Sequence, residues 1–278
     1  MKTKVILELG CNHNGSMDNA RRMIDDAAEM GVWGVKLQKR DVDSIPAEYA
    51  KQPRDHATSF GETYLEHRKA LELSVEEVEE LYLYAEKLGL CFGVSVFDEP
   101  SLRLMARLPL DFIKLPSQLY EDRKLNKMLH TLPEHGPMTM VSTGMRTVTE
   151  AFNVDHFGTH DVTFYCRSLY PCPLELVNVA AMKKLFERLH GCGSIPGYSS
   201  HEVGGEIIAP AVLLGAQYVE RHYTLDKTMK GFDHGTVSSD KAEMRRILLG
   251  IEQSEAILDQ PDELSPGELK IRKQYMGY

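Results

Sequence analysis

The sequence predicts a single-domain α/β protein of the (β/α)8 barrel class, and three observations lead there. Short apolar runs rich in Val, Ile, Leu and Phe alternate with amphipathic stretches along the whole chain. The interiors of these runs are continuously apolar, as in strands buried on both faces. Eight such units fit into roughly 255 residues, the usual size of this barrel. The rival, a doubly wound open sheet, normally has fewer strands and a glycine-rich first turn. No G-x-G-x-x-G follows the first apolar run here.

The first strand is Val5–Glu8. After it, Met17–Met30 puts Ala20, Met23, Ile24, Ala27 and Ala28 on one helical stripe. Gly34–Gln38 is the second strand. The polar segment Lys39–Glu72 behind it contains Pro46 and Pro53, and a connection of that length is usually functional or disordered. Val75–Leu88 repeats the helical stripe with Val78, Leu81, Tyr82 and Ala85, and leads into Phe92–Val96. Strands four to seven are Phe112–Leu115, Met138–Ser142, Val162–Cys166 and Ile195–Ser199. Pro210 shortens or kinks the next helix, Gly205–Leu214. Tyr218–Arg221 is the eighth strand. The closing helix, Asp240–Leu258, starts after Ser238–Ser239 as a cap and aligns Met244, Ile247, Leu248, Ile251 and Ile257. The barrel is expected over residues 1–258. Residues 259–278 form a polar tail too short to be a domain.

The 278 residues are 42% hydrophobic and 26% charged, a globular composition. No run approaches ~20 apolar residues, which excludes a membrane-spanning helix, and the first apolar run is too short for a signal peptide. Five cysteines, odd in number and widely spaced, form neither a disulfide framework nor a zinc pattern, so a reducing, cytoplasmic location is expected. A net charge of −9 without a Lys/Arg stripe argues against nucleic acid as a partner. An anionic ligand would need a few local cations to reverse that field.

In this fold the active site lies at the C-terminal ends of the strands. Those ends carry Glu8, Lys36 with Gln38, Ser95, Lys114 with Ser117, Ser142 with Thr143, Ser199 with His201, and His222, with Tyr170 just past strand six. Lys36 and Lys114 sit among apolar neighbours, where an unpaired charge is costly. They either pair with a barrel acid such as Glu8 or Glu220, or face an anionic substrate ringed by hydroxyl donors. His201 and His222 end adjacent strands, within reach of one divalent metal ion; the plainer alternative is a pair of hydrogen-bonded structural histidines. His13 is a third candidate by position. Asp233 and His234, in KGFDHG, sit in a loop that can return over the barrel mouth.

LELGCNHNGSMDNARRMIDDAAEMGVWGVKLQK resembles the opening of the sialic acid synthase family, with its E-[IL]-G-x-N-H-x-G turn followed by V-K-x-Q. The resemblance continues through GETYLEHRKALEL, FIKLPS, VSTGM, YPCP, GYSSHEVG and LGAQYVERHYTLDKTMKGFDH, and covers residues 4 to about 258. It implies condensation of phosphoenolpyruvate with an aldose, N-acetylmannosamine or a related sugar, to a 2-keto-3-deoxy sugar acid with release of phosphate. It also implies Mn2+ or Mg2+ held by His201 and His222. Phosphoenolpyruvate would be gripped by Lys114, Ser95, Ser117, Ser142 and Ser199, with Lys36 and Gln38 close by. Glu8 and Asp233 would position sugar hydroxyls or the attacking water, Tyr170 would lie beside the phosphate, and Glu220 would support the site from behind.

Three departures from the family pattern accompany these expectations. Leu119 stands where the strand-four motif K-x-[GA]-S-[GA]-[ED] has its acid, leaving Gln118 or Glu121 to compensate. Ser168 replaces an asparagine that contacts phosphate. The antifreeze-like C-terminal domain of typical members, which lends an arginine across a swapped dimer, is expected to be absent. A separate lid-supplying chain or the Lys39–Glu72 segment would then cover the site, and a homodimer is one assembly the chain could form. Two other readings are a non-catalytic sugar-binding or regulatory relative completed by a partner chain, and an aldolase using Lys114 as a Schiff base.

Overall fold

The computed structural model describes residues 3–276 except His56, to which no role was assigned, and Thr236. Eight parallel strands close into a barrel in sequence order: β1 (Lys4–Gly10), β2 (Gly34–Lys39), β3 (Cys91–Val96), β4 (Phe112–Leu115), β5 (Met138–Ser142), β6 (Val162–Cys166), β7 (Ile195–Ser200) and β8 (Tyr218–His222). Both sides of each strand are buried, for different reasons. Outward residues such as Leu7, Val35, Val94, Ile113, Val141 and Val219 pack under helix stripes that include Met23, Ile24, Leu81 and Met244. Inward residues form a separate plug of Ile6, Phe112, Met140, Val162, Phe164 and Tyr218. The Trp33 ring stacks on Phe112 at 5.4 Å at this level. Gly93 leaves the space that Phe112 fills, since a Cβ there would overlap its ring.

One step further along the strands the inward residues become polar. The register sets Glu8 opposite both Lys36 and His222, Ser95 opposite Lys114, and Ser199 opposite both Cys166 and Glu220. The strand period of two therefore delivers a polar tier directly on the apolar plug.

Local chemistry explains where the helices differ from expectation. The cap of helix Lys241–Leu258 is Asp240, whose carboxylate accepts from the Glu243 N–H at 2.9 Å in a capping box. Ser239, expected as part of the cap, instead accepts from Arg221 Nε at 2.9 Å. Pro210 sits in the first turn of Ile208–Leu213, where its missing N–H costs nothing, so the helix is shortened and begins late. The connection after β2 is ordered, with a 3-10 turn at Val42–Ser44 and helices Ala47–Ala50 and Tyr64–Leu71. The polar tail holds helix Pro266–Met276, which buries no residue. No helix among the described residues is long and apolar enough to cross a membrane.

Candidate active site

The C-terminal mouth of the barrel holds a cavity of about 230 Å3. All thirteen residues expected to act in binding or catalysis line it: Glu8, Lys36, Gln38, Ser95, Lys114, Ser117, Ser142, Ser168, Tyr170, Ser199, His201, His222 and Asp233. They arrive from the C-terminal ends of all eight strands and from the loop after β8, so closure of the barrel is what assembles them.

At the floor, four buried charges form a chain. Lys36 pairs with Glu8 and lies 3.6 Å from Glu220, while Lys114 Nζ donates to both Glu220 oxygens at 2.7 and 2.8 Å. Burial works against each charge, and the neighbours decide the balance. For Lys36, Glu220 and Glu8 outweigh burial, and its pKa ends above the usual lysine value. For Lys114, burial prevails over Glu220, and Lys36 adds repulsion, so its pKa ends lower. Glu220, gripped by Lys114 and Lys36, stays well below the usual carboxylate range despite burial. The ion-pair alternative for the lysines is thus met, and both lysines also face the cavity. Glu220, expected behind the site, lines the cavity itself.

Hydroxyls surround this chain. Ser95 Oγ accepts from Lys36 at 2.6 Å, and Ser199 Oγ donates to Glu220 at 3.0 Å. Ser142 Oγ is buried and has no hydrogen-bond partner, so its proton is available to a ligand. Ser117, Cys166 and Ser168 converge on Gly144: a Cβ there would collide with all three. The Gly144 N–H donates to Ser117 Oγ at 3.1 Å.

The His201 and His222 rings lie 5.5 Å apart, centroid to centroid, at 59°. His201 Nδ1 lies 2.8 Å from the Arg167 carbonyl, which can only accept, so the lone pair is on Nε2, 3.5 Å from Ser199 Oγ. Burial, then His222, lowers the His201 pKa to about 3, keeping the ring neutral. His222 Nδ1 is buried without a hydrogen-bond partner, and Asp233 Oδ2 lies 3.5 Å from it. Tyr170 packs over both rings, at 4.3 Å from His201 and 5.9 Å from His222. Two imidazoles with a nearby carboxylate suit a divalent cation. Among the described residues no three His, Cys, Asp or Glu side chains could hold one by themselves, so a ligand oxygen would have to complete the shell.

Other positions fall elsewhere. His13 is buried with Nδ1 accepting from the Gly15 N–H at 3.1 Å, and does not line the cavity. His234 is bound between Thr224 and Asn14 and holds the β8 loop from beneath. Leu119 packs against the core; Gln118 lines the cavity, while exposed Glu121 pairs with Arg146. Arg40, Arg68, Phe97 and Cys166 also line the cavity without having been anticipated. Arg40 could have been found, because Lys36, Gln38 and Arg40 continue one period-two face. Arg68 comes from a helix in the long connection, where no strand pattern points to it.

The NeuB family model matches residues 23–263. Human N-acetylneuraminate-9-phosphate synthase is 34% identical over 280 residues, covering 97% of this chain and 75% of that protein. The N,N'-diacetyllegionaminic acid synthase of Campylobacter jejuni is 33% identical over 91% of this chain and 76% of its own length. The solved N-acetylneuraminic acid synthetase of Leptospira borgpetersenii superposes with a TM-score of 0.82 at 24% identity, over 100% of this chain and 94% of that one. At that identity it speaks for the fold alone. Both the family model and relatives above 30% identity span most of the chain, which therefore belongs to the NeuB family, the sialic acid synthases and related sugar acid synthases.

Proposed function

We propose that this chain condenses phosphoenolpyruvate with an N-acetylmannosamine-like aldose to a sialic-acid-type 2-keto-3-deoxy sugar acid, releasing phosphate. The observation that carries the reading is a single cavity lined both by ammonium and hydroxyl donors, Lys114, Ser117, Ser142 and Ser199, and by the imidazole pair His201 and His222 on β7 and β8. Lys114, Ser117, Ser142, Ser168 and Ser199 hold the phosphate and carboxylate of the enol ester, with Ser95 and Lys36 at its edge. Ser142, whose Oγ has no protein partner, gives its hydrogen bond to that ligand. His201 and His222 would hold Mn2+ or Mg2+, which when bound supplies Lewis-acid polarisation of the aldehyde.

Carbon–carbon bond formation joins C3 of the enol ester to the aldehyde carbon, and the aldehyde oxygen takes up a proton. Water adds at C2 and gives its proton to a carboxylate, Glu8 or Asp233. The resulting hemiketal phosphate breaks its C–O bond as its hydroxyl proton passes to the departing phosphate, leaving a ketone and inorganic phosphate. Lys36 and Lys114 are fixed by Glu8 and Glu220 before substrate arrives, so little reorganisation is needed as charge develops. Tyr170 covers the imidazoles and limits access of bulk water. All five cysteines are free, in keeping with a reducing cytoplasm.

The test is phosphate release from phosphoenolpyruvate with Mn2+ and a panel of aldoses. Phosphate should appear in step with aldose consumed, and chelation should stop it. No release with any acceptor would favour a non-catalytic, sugar-binding relative.

A further inference from the structure

Two guanidinium groups of the same cavity have no part in the reaction just described. Arg40 lies two residues beyond Gln38, just past β2, and Arg68 reaches in from helix Tyr64–Leu71. Neither has a carboxylate within ion-pair distance among the described residues. Arg40 donates to Gln38 Oε1 at 2.9 Å and lies flat over the Phe97 ring at 3.3 Å. Arg68 donates to the Tyr64 hydroxyl at 3.1 Å and approaches Cys11 Sγ at 3.6 Å. Glu72, whose field reaches both, is occupied by the Lys39 ammonium at 2.7 Å and the Arg40 backbone N–H at 2.9 Å. Burial, then Arg68, draws the Arg40 pKa down to about 10, so both groups stay charged at neutral pH.

The charges that line the cavity show what these arginines add. Lys36 and Lys114 are matched by Glu8 and Glu220, and Asp233 adds a third carboxylate. Without Arg40 and Arg68 the lining carries one net negative charge; with them it carries one net positive charge. Arg54 and Lys230 lie nearby as well: after burial, they join Arg68 and Arg40 in lowering the His67 pKa, to about 4. In a chain of net charge −9, this is a concentration of cations left without counter-ions. Two planar forks, one braced on an aromatic face, suit a tetrahedral oxyanion better than a neutral hydroxyl.

We propose that Arg40 and Arg68 form a second oxyanion subsite, which takes the terminal phosphate of a phosphorylated aldose acceptor. This rests on the condensation reading, and it narrows the acceptor to a sugar phosphate whose aldehyde lies at the imidazole pair and whose other end lies at the arginines.

The experiment compares aldoses with their terminal phosphate esters, N-acetylmannosamine and its 6-phosphate among them. Equilibrium binding and phosphate release are both measured with Mn2+. For at least one pair the ester should bind the wild-type chain about tenfold more tightly or better, the range for charge-assisted hydrogen bonds. That ratio should collapse toward one in Arg40→Met and in Arg68→Met, and survive in part in Arg68→Lys, which keeps the charge but not the fork. No preference for any ester, or a preference undiminished in both Met variants, overturns the subsite. A binding preference of the expected pattern without phosphate release from any acceptor would sustain the subsite and refute the condensation reading.

Discussion

Glu8, Lys36, Glu220 and Lys114 are almost fully enclosed, and their two positive and two negative charges balance only as a set. Glu220→Gln keeps the shape but leaves Lys114 and Lys36 facing one carboxylate fewer. It should cost about 3–5 kcal/mol, read from denaturant unfolding, because a buried charge is left uncompensated. A loss inside the usual surface range would show that water already reaches this tier. His201→Ala should abolish Mn2+ binding in calorimetry and phosphate release together. His130→Ala should leave both intact, since that ring stacks on His160 and contacts Thr159 outside the cavity. Equal effects of the two variants would undo the assignment of the metal pair. These residues were legible in sequence because each ends an apolar run with a polar group. Arg68 was not, because no periodicity links it to the barrel.

Strand patterns were easier to read than helix boundaries. Strands β4, β5 and β6 begin and end where the apolar runs do, since burial on both faces keeps most of their residues apolar. The segment after β2 read as loop because its helices are short and polar; helix Tyr64–Leu71 is fixed by the Thr63–Glu66 capping box and by buried His67 and Leu71. Helix Pro266–Met276 escaped notice for the opposite reason, having no buried stripe. Asp240→Ala should remove about 1 kcal/mol by breaking the capping box of Lys241–Leu258, visible as a lowered midpoint of thermal unfolding. Gly93→Ala should cost about 1–3 kcal/mol, because the added methyl must displace the Phe112 ring from the plug. An unchanged midpoint in Gly93→Ala would mean that the plug can repack.

For the molecule as a whole, burial holds several histidines neutral. It lowers His13 to about 4, and it lowers His160 and His201 to about 3, with neighbouring histidines adding to the effect at all three. An unfolded chain binds protons on these rings near pH 6.5, while the folded chain refuses them. The unfolded state therefore carries more protons below that pH, and stability falls as pH falls from about 6.5 toward 4. The slope is up to about 1.4 kcal/mol per pH unit for each histidine. Metal-free protein should show this as a falling thermal midpoint, and a flat profile between pH 6.5 and 5 would contradict the burial.

The order of the eight strands and the end of the barrel that holds the polar cavity both followed from the alternation of apolar runs and polar ends. The arginine pair proposed to bind the acceptor did not, because Arg68 comes from a helix in the connection after β2, whose path sequence periodicity does not set. The most direct test of the whole account is the mass of the product formed from phosphoenolpyruvate and the preferred aldose with Mn2+, using an enol ester labelled with heavy oxygen at the bridge to phosphorus. The account predicts one sugar acid containing every carbon of both reactants for each phosphate freed, with the label carried away in the phosphate. Pyruvate released without joining the sugar, the label retained on the organic product, or a sugar trapped on Lys114 by borohydride would contradict it.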